Sequence, residues 1–440
     1  MLGGAPAGRW ATSRSCSRRR SVRRLGTRRP GWSGATAGAA APDYHPGVHL
    51  AERSAPDDEP NAISLRRSAL AAAGVDVLDL SDSNPTRHGL TDPAVLDAVA
   101  RAVPAAAVYE PDPRGAVVAR EALAARYGGE AGDYYLTAST SEAYAWLLQL
   151  LADPGDAVAV PAPGYPLVEP LARLAGVRTV AYAVRYLHPY GWSVDTGEVA
   201  ALAARPDVRA VVAVSPGNPT GAYLDPAERA VMERACRDGG AALVLDQVFA
   251  PFRLEAAAPS GDPVATSGDE GPACLTFTLD GLSKLVCAPQ LKLGWLRVEG
   301  PQEERAAVHR ALEAVADTYL SVGAPAALAL PEILRHADDS VAATRRRLSV
   351  NLATAHALFG DDGFRVRRCG GGWTVLVDVP RYLPDEAMVL TLLERAHVAV
   401  HPGYFYDLPT SGTLALSLLP DPTVFETGCR RLRAAVQALA

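Results

Sequence analysis

The chain has 440 residues, 48% of them hydrophobic, and a net charge of −6, enough for two domains or one large α/β domain with an appendage. No run approaches the roughly 18 consecutive apolar residues of a membrane span. The six cysteines (Cys16, Cys236, Cys274, Cys287, Cys369 and Cys429) form no C-x-x-C pair, which argues against zinc and against a disulfide framework, and for a reducing cytoplasm.

The charge is unevenly placed. Residues 1–42 hold nine arginines and no acid, so the remainder carries −15. Three readings compete for this basic tail: an Arg- and Ser-rich transit-type presequence, a nucleic-acid-binding arm, or translated sequence upstream of the true start, with Val48 as an alternative start codon. The third is favoured. Residues 1–47 are expected to lack order, and they show no helix-turn-helix pattern, having no long apolar periodicity and many Gly, Pro and Ser.

From about residue 60 the pattern becomes regular. The spacing predicts a helix over 63–73 and a short strand over 77–81, which delivers Ser83-Asn84-Pro85-Thr86-Arg87 into a loop at a strand end, where open α/β folds bind ligands. An extended segment, Tyr109-Glu110-Pro111-Asp112-Pro113-Arg114-Gly115, runs into a helix over 116–127. A strand over 135–138 is followed by Ser139-Thr140-Ser141 and a helix over 142–151. Hydroxyl residues at a helix N-terminus can cap it or cradle a phosphate. Strands are expected at 157–160, 179–183, 209–214, 242–245 and 275–279, with helices between them. Such alternation is the signature of a largely parallel sheet with helices on both faces. Beyond residue 301 the pattern is helical, at 302–320, 324–335 and 338–359. A smaller α+β unit closes the chain, with strands at 373–379, 398–401 and 413–418 and helices near 384–396 and 423–439.

One stretch, 281–295, reads GLSKLVCAPQLKLGW and holds both lysines of the chain, Lys284 and Lys292; the other 41 of the 43 cationic residues are Arg. Such a bias suggests a GC-rich coding background in which Lys survives where Arg cannot substitute. An amine can lose its proton and form a Schiff base with a carbonyl, whereas a guanidinium stays protonated. Lys284 is the candidate nucleophile.

Taken in order, Y-x-P-x-P-x-G, S-T-S before a helix, P-G-Y-P, S-P-x-N-P-T-G, D-x-x-F and S-K-(x)7-K resemble the class I/II aminotransferases, pyridoxal-phosphate enzymes of fold type I. The segment P-Q-L-K-L-G-W, with Ser83-Asn84-Pro85-Thr86 and His401-Pro402-Gly403, is similar to a poorly characterised bacterial branch of that family. The resemblance implies pyridoxal 5'-phosphate as cofactor, with Lys284 forming the Schiff base and shuttling a proton, and Asp246 paired with the pyridine nitrogen. It also implies that Asn218 bonds the phenolic oxygen and Tyr165 stacks on the ring. Ser139, Thr140, Ser141 and Lys292 would hold the phosphate, and Tyr109 would reach the phosphate of a neighbouring subunit in a homodimer. The implied organisation is a tail over 1–47, an arm with part of the small domain over 48–108, a large cofactor domain over 109–322 and a small domain over 323–440.

Three positions depart from the family pattern. Phe249 replaces a Tyr, Gly281 a phosphate-binding Ser, and Ala415 the Arg that forks the substrate α-carboxylate. Arg87, beside Asn84, is the expected replacement cation, with Arg114 and Arg368 behind it. The expected function is amino transfer from an amino acid to a 2-oxo acid by a ping-pong route, in the cytoplasm. The alternatives are a lyase or cyclising synthase on the same cofactor and, further off, a ligand-sensing regulator. No metal, nucleic acid or membrane is expected as a partner.

Overall fold

The computed structural model describes residues 51–54, 61–255, 271–320 and 322–440; the basic tail lies outside them. Among the described residues fourteen strands form: β1 (Leu78–Asp79), β2 (Tyr134–Thr137), β3 (Ala157–Ala162), β4 (Arg178–Leu187), β5 (Gly191–Val194), β6 (Val208–Val214), β7 (Ala242–Asp246), β8 (Thr276–Gly281), β9 (Gly294–Glu299), β10 (Arg365–Val366), β11 (Thr374–Asp378), β12 (Val398–Ala399), β13 (His401–Pro402) and β14 (Thr413–Ser417). Eight of them make the large sheet, in the order β2-β9-β8-β7-β6-β3-β4-β5. β4, β3, β6, β7 and β8 pair in parallel, while β9 and the edge strand β5 run antiparallel.

Both faces of this sheet are apolar because the strands are Val- and Leu-rich at successive positions. Val212, Val244, Phe277 and Leu279 face helices Thr140–Leu151, Val168–Ala175 and Gln302–Tyr319. Val211, Ala213, Leu243 and Leu245 face helices Thr196–Ala203 and Pro226–Gly239. That two-sided burial is what a parallel sheet requires, and each fully buried Val, Leu or Phe contributes about 1.5–3 kcal/mol. The expected fold class is therefore the observed one.

The small antiparallel sheet, β10-β11-β14-β13, packs its Val375, Val377, Leu414 and Leu416 face against helices Ala337–Leu358 and Pro422–Gln437. Three strands were not anticipated, β5, β9 and the two-residue β10; β9 begins inside the P-Q-L-K-L-G-W run, where motif and strand overlap. The strand expected over 77–81 is only β1, and it pairs in parallel with β12. The loop at 83–87 thus leaves the small unit and not the edge of the large sheet. The strand expected over 398–401 divides, with β12 on β1 and β13 on β14. Val400 between them is buried, Leu80 donates its N–H to the Ala399 carbonyl at 2.9 Å, and Ser417 donates to the Leu80 carbonyl at 2.7 Å.

Candidate active site

The parallel strands end on one edge of the large sheet, and the chemistry-bearing residues follow them. Asp246 is the last residue of β7, and Lys284 sits in the one-turn helix Leu282–Leu285 that follows β8. Asn218 follows β6, Tyr165 follows β3, and Ser139-Thr140-Ser141 follow β2. The chain order reverses between β3 and β6, the crevice where open α/β sheets take ligands. A groove opens there, lined by Gly164, Trp192, Asn218 and Tyr223.

Asp246 is buried. Its Oδ2 accepts from the Tyr144 hydroxyl at 3.1 Å and its Oδ1 from the Val248 N–H at 3.2 Å. Burial pushes its carboxyl up, opposed by these two donors and by the charge of Lys284. Tyr144 keeps its proton, since burial and the Asp246 carboxylate raise it well above the ordinary phenol range, so it donates. It was missed from the sequence, although the signal was present: it lies four residues after Thr140, on the same face of helix Thr140–Leu151.

Lys284 is half-buried in an aromatic corner, with Nζ 4.9 Å from the Trp373 ring centroid and 5.4 Å from that of Phe249. Burial lowers its basicity, and Cys287 and Asp246 partly offset this. Lys284 and Asp246 form no direct ion pair among the described residues. Phe249 and Phe252 meet Trp373 edge-on, at 5.4 and 5.3 Å between centroids. Thr91 ties the N-terminal segment to this corner by donating to the Cys287 carbonyl at 2.6 Å.

Ser139 is the N-cap of its helix, its Oγ accepting from the Glu142 N–H at 3.2 Å. Thr140 and Ser141 occupy the first turn, not the loop before it; their hydroxyls and backbone N–H groups have no partner among the described residues. This leaves unused donors at the positive end of a twelve-residue helix, the arrangement a phosphate needs. Gly294 starts β9 beside them: a Cβ there would lie 3.3 Å from the Ser139 carbonyl carbon. Gly281 pairs with Gly294, and a Cβ on Gly281 would meet the Gly294 Cα at 3.0 Å and the Leu293 carbonyl at 3.2 Å. A side chain at 281 would thus press on β9, which would have to give by a few tenths of an ångström. Lys292 is exposed and adopts a left-handed conformation (φ 51°).

Across the crevice stands the small sheet. Asn218 Oδ1 accepts from the Thr374 hydroxyl at 3.5 Å, and the Gly164 N–H donates to the Tyr406 carbonyl at 3.0 Å. Ala415 is buried in a group with Leu376, Tyr406 and Leu408, against which Tyr165, Trp192 and Phe405 pack. Where the family resemblance implies a cation, this chain presents aromatic side chains. His401, paired with Ala415, lies 3.0 Å from the Tyr406 hydroxyl and is held neutral by burial, its pKa lowered to about 4.

The expected replacement cations fare less well. Arg87 is 61% exposed and pairs with Asp82 at 3.5 Å, while Asn84 caps its own turn, accepting from the Thr86 N–H and hydroxyl. Arg114 is committed to Glu313 at 2.7 Å and to the Gly132 carbonyl, and Arg368 to Glu255 at 2.6 Å and the Tyr190 carbonyl at 3.0 Å. Tyr109 is 73% exposed in an extended segment.

Similarity to known proteins places the chain in a family. The family described as aminotransferase class I and II matches residues 75–432. An arginine–pyruvate transaminase of Pseudomonas aeruginosa is 30% identical over 384 residues, 84% of this chain and 92% of that protein. An alanine aminotransferase of Mycobacterium tuberculosis is 28% identical over 369 residues, 80% and 83% of the two. Among solved structures, an alanine aminotransferase from Pyrococcus furiosus superposes with a TM-score of 0.79 at 21% identity, over 89% of this chain and all of that one. With a match that spans most of its length, this chain belongs to the class I and II aminotransferase family and is a transaminase.

Proposed function

We propose that the chain moves an amino group from an amino acid to a 2-oxo acid, by a ping-pong route on pyridoxal 5'-phosphate. The observation that carries this reading is the meeting, on one sheet edge, of a buried carboxylate, a half-buried amine of lowered basicity and a helix N-terminus with unused donors. These residues fit the cofactor. Thr140, Ser141 and the first-turn N–H groups would take its phosphate, with Ser139 shaping the turn and Lys292 adding charge. Asp246 would take the ring nitrogen, Asn218 the phenolic oxygen, Tyr165 the ring face and Lys284 the aldehyde. When bound, the cofactor supplies the electron-withdrawing ring that stabilises negative charge at the donor Cα.

The chain's own residues do the rest. Burial lowers the basicity of Lys284, which favours the free amine whose Nζ would take the proton from the donor Cα and return it. Phe249 and Trp373 keep water from that amine. Tyr144 and the Val248 N–H donate to Asp246 and oppose the upward push of burial, which favours the carboxylate that would hold a protonated ring nitrogen. We read residues 48–108 as an arm with part of the small domain, 109–322 as the large domain and 323–440 as the small one, in support of which β1 pairs with β12. Exposed Val108, Tyr109, Val117 and Val118 favour a homodimer, with Tyr109 reaching the partner.

The test is the visible spectrum of the protein loaded with pyridoxal phosphate, followed as amino acids are added singly. Conversion of the bound cofactor to its amine form by at least one donor, and its reversal by a 2-oxo acid, is expected. A bound cofactor that releases product without passing to the amine form would turn the reading to lyase or cyclising chemistry.

A further inference from the structure

The face of the small sheet that bears Ala415 continues along the strands. Paired residues of an antiparallel ladder share a face, as do residues two apart on one strand. Leu376 pairs with Ala415 and Asp378 with Thr413, so these four lie on one face, Asp378 and Thr413 one step further along than Ala415. Arg367 occupies that next step. It is 7% exposed, and its Nε donates to Asp378 Oδ1 at 2.8 Å. Its Nη2 donates to the hydroxyls of Thr413 at 2.9 Å and Thr410 at 3.0 Å. The guanidinium lies 5.6 Å from the ring centroid of Trp192 and 5.4 Å from that of Tyr186. Trp192 also packs against the Ala415 group and lines the groove at the strand ends.

Two features mark this spot as built for an anion. Among the described residues, the buried Nε1 of Trp192 has no partner, and Arg367 Nη1 makes no hydrogen bond to the chain and is not closed off from solvent; both are donors open to an acceptor that the chain does not supply. The charge is also unbalanced, because Asp378 serves Arg365, at 2.6 Å, as well as Arg367, which leaves one positive charge in excess. Apolar neighbours strengthen the pull of such a charge by keeping water away, and a guanidinium pinned along its Nε–Nη2 edge is fixed in orientation.

We propose that Arg367, with Trp192 beside it, is the subsite for a substrate carboxylate, taking over the role of the Arg that the family carries at position 415. The identity of that carboxylate, an amino acid's or a 2-oxo acid's, rests on the transaminase reading; the subsite itself is testable without it.

The experiment titrates the full-length protein, loaded with pyridoxal phosphate, with pyruvate, acetate and acetamide, read by tryptophan fluorescence, with thermal unfolding as the check on folding. Both carboxylates should bind saturably to the wild type. Arg367→Met should weaken them tenfold or more, Arg367→Lys three- to tenfold, and Arg365→Met, which removes the exposed partner of the same Asp378, less than twofold. Acetamide, similar in shape but uncharged, should not distinguish the variants. Where donors react, Arg367→Met should raise KM and leave kcat within a few-fold. Wild-type affinity in Arg367→Met would overturn the proposal, as would equal losses in Arg365→Met and Arg367→Met, or no saturable carboxylate binding by the wild type. If Arg367→Met does not fold, Arg367→Lys decides, and wild-type affinity there overturns it. A wild type that binds carboxylates yet converts no donor keeps the subsite and loses the transaminase reading.

Discussion

The two walls of the crevice differ in how closely they follow the family. On the strand-end wall of the large sheet, Asp246, Lys284, Asn218 and the Ser139-Thr140-Ser141 turn, which the family motifs single out, are each fixed by a strand that ends beneath it. On the facing wall, the small sheet has Ala415 where the family resemblance implies a cation, and Tyr165, Trp192, Phe405 and Tyr406 surround the position. The strand-end wall departs from the family pattern too, at Phe249 and Gly281, but it retains the carboxylate and the amine proposed to handle the reacting atoms. The part that grips the substrate can be rebuilt from neighbouring side chains without disturbing the fold.

The largest effect that could break this contrast is at Lys284. Lys284→Ala removes the attacking amine and the proton carrier together, and a loss of about 10⁴-fold or more in single-turnover amino transfer is expected. Residual transfer within tenfold of the wild type would mean that the conserved wall is not where the chemistry occurs.

A second test concerns the cost built into the same wall. Asp280, the neighbour of Gly281, points to the opposite side of the sheet from Asp246, accepts from the Gly281 N–H at 2.7 Å and the Tyr127 hydroxyl at 3.2 Å, and has a pKa raised to about 7, chiefly by burial. The folded state therefore holds this proton more tightly than the unfolded chain, whose carboxyl titrates near 3.8. The stability contributed by that proton is present at low pH, is lost as pH rises from about 4 through about 7, and stays lost above. Asp280→Asn should remove the slope and gain on the wild type by on the order of 3 kcal/mol between pH 4 and pH 8, measured by denaturant unfolding at each pH. Parallel profiles for the two proteins would contradict it.

Tyr144→Phe sharpens the comparison. It removes one of the two donors to Asp246, and the unbalanced carboxylate should cost about tenfold in amino transfer. It should also shift the ring-nitrogen protonation seen by ¹⁵N NMR of labelled cofactor; an unchanged NMR signal would assign Tyr144 to packing alone. The smallest effect is expected from Arg87→Ala. With its side chain largely in solvent, affinity for any reactive donor should stay within about twofold, since exposed pairs such as Arg87–Asp82 contribute little. A tenfold loss would return Arg87 to the substrate.

The sequence carried the strand-end wall well because its residues lie in short, ordered motifs at the ends of Val- and Leu-rich strands. Lys284 stood out even without those motifs, as one of two lysines in an arginine-rich chain. The facing wall was far less legible. Arg367 gave no signal among 41 arginines, because what distinguishes it is a pairing register, Asp378 against Thr413, that brings residues 367, 378 and 413 together. Arg87, Arg114 and Arg368 were credible by position, and only their exposure or their partners set them apart. Tyr144 was hidden differently: a tyrosine on a buried helix face reads as core until the carboxylate it meets, 102 residues later, is seen.

The division of the run 398–402 between two sheets has a mechanical consequence. β12 grips β1, β13 grips β14, and Leu80 bridges Ala399 and Ser417, so tension in the N-terminal segment passes through three residues to the strand that bears Ala415. The amides of β1, β12 and β14 should then exchange with solvent as one cooperative unit. Cutting the chain just before β1 would loosen the substrate-gripping wall while leaving the strand-end wall intact.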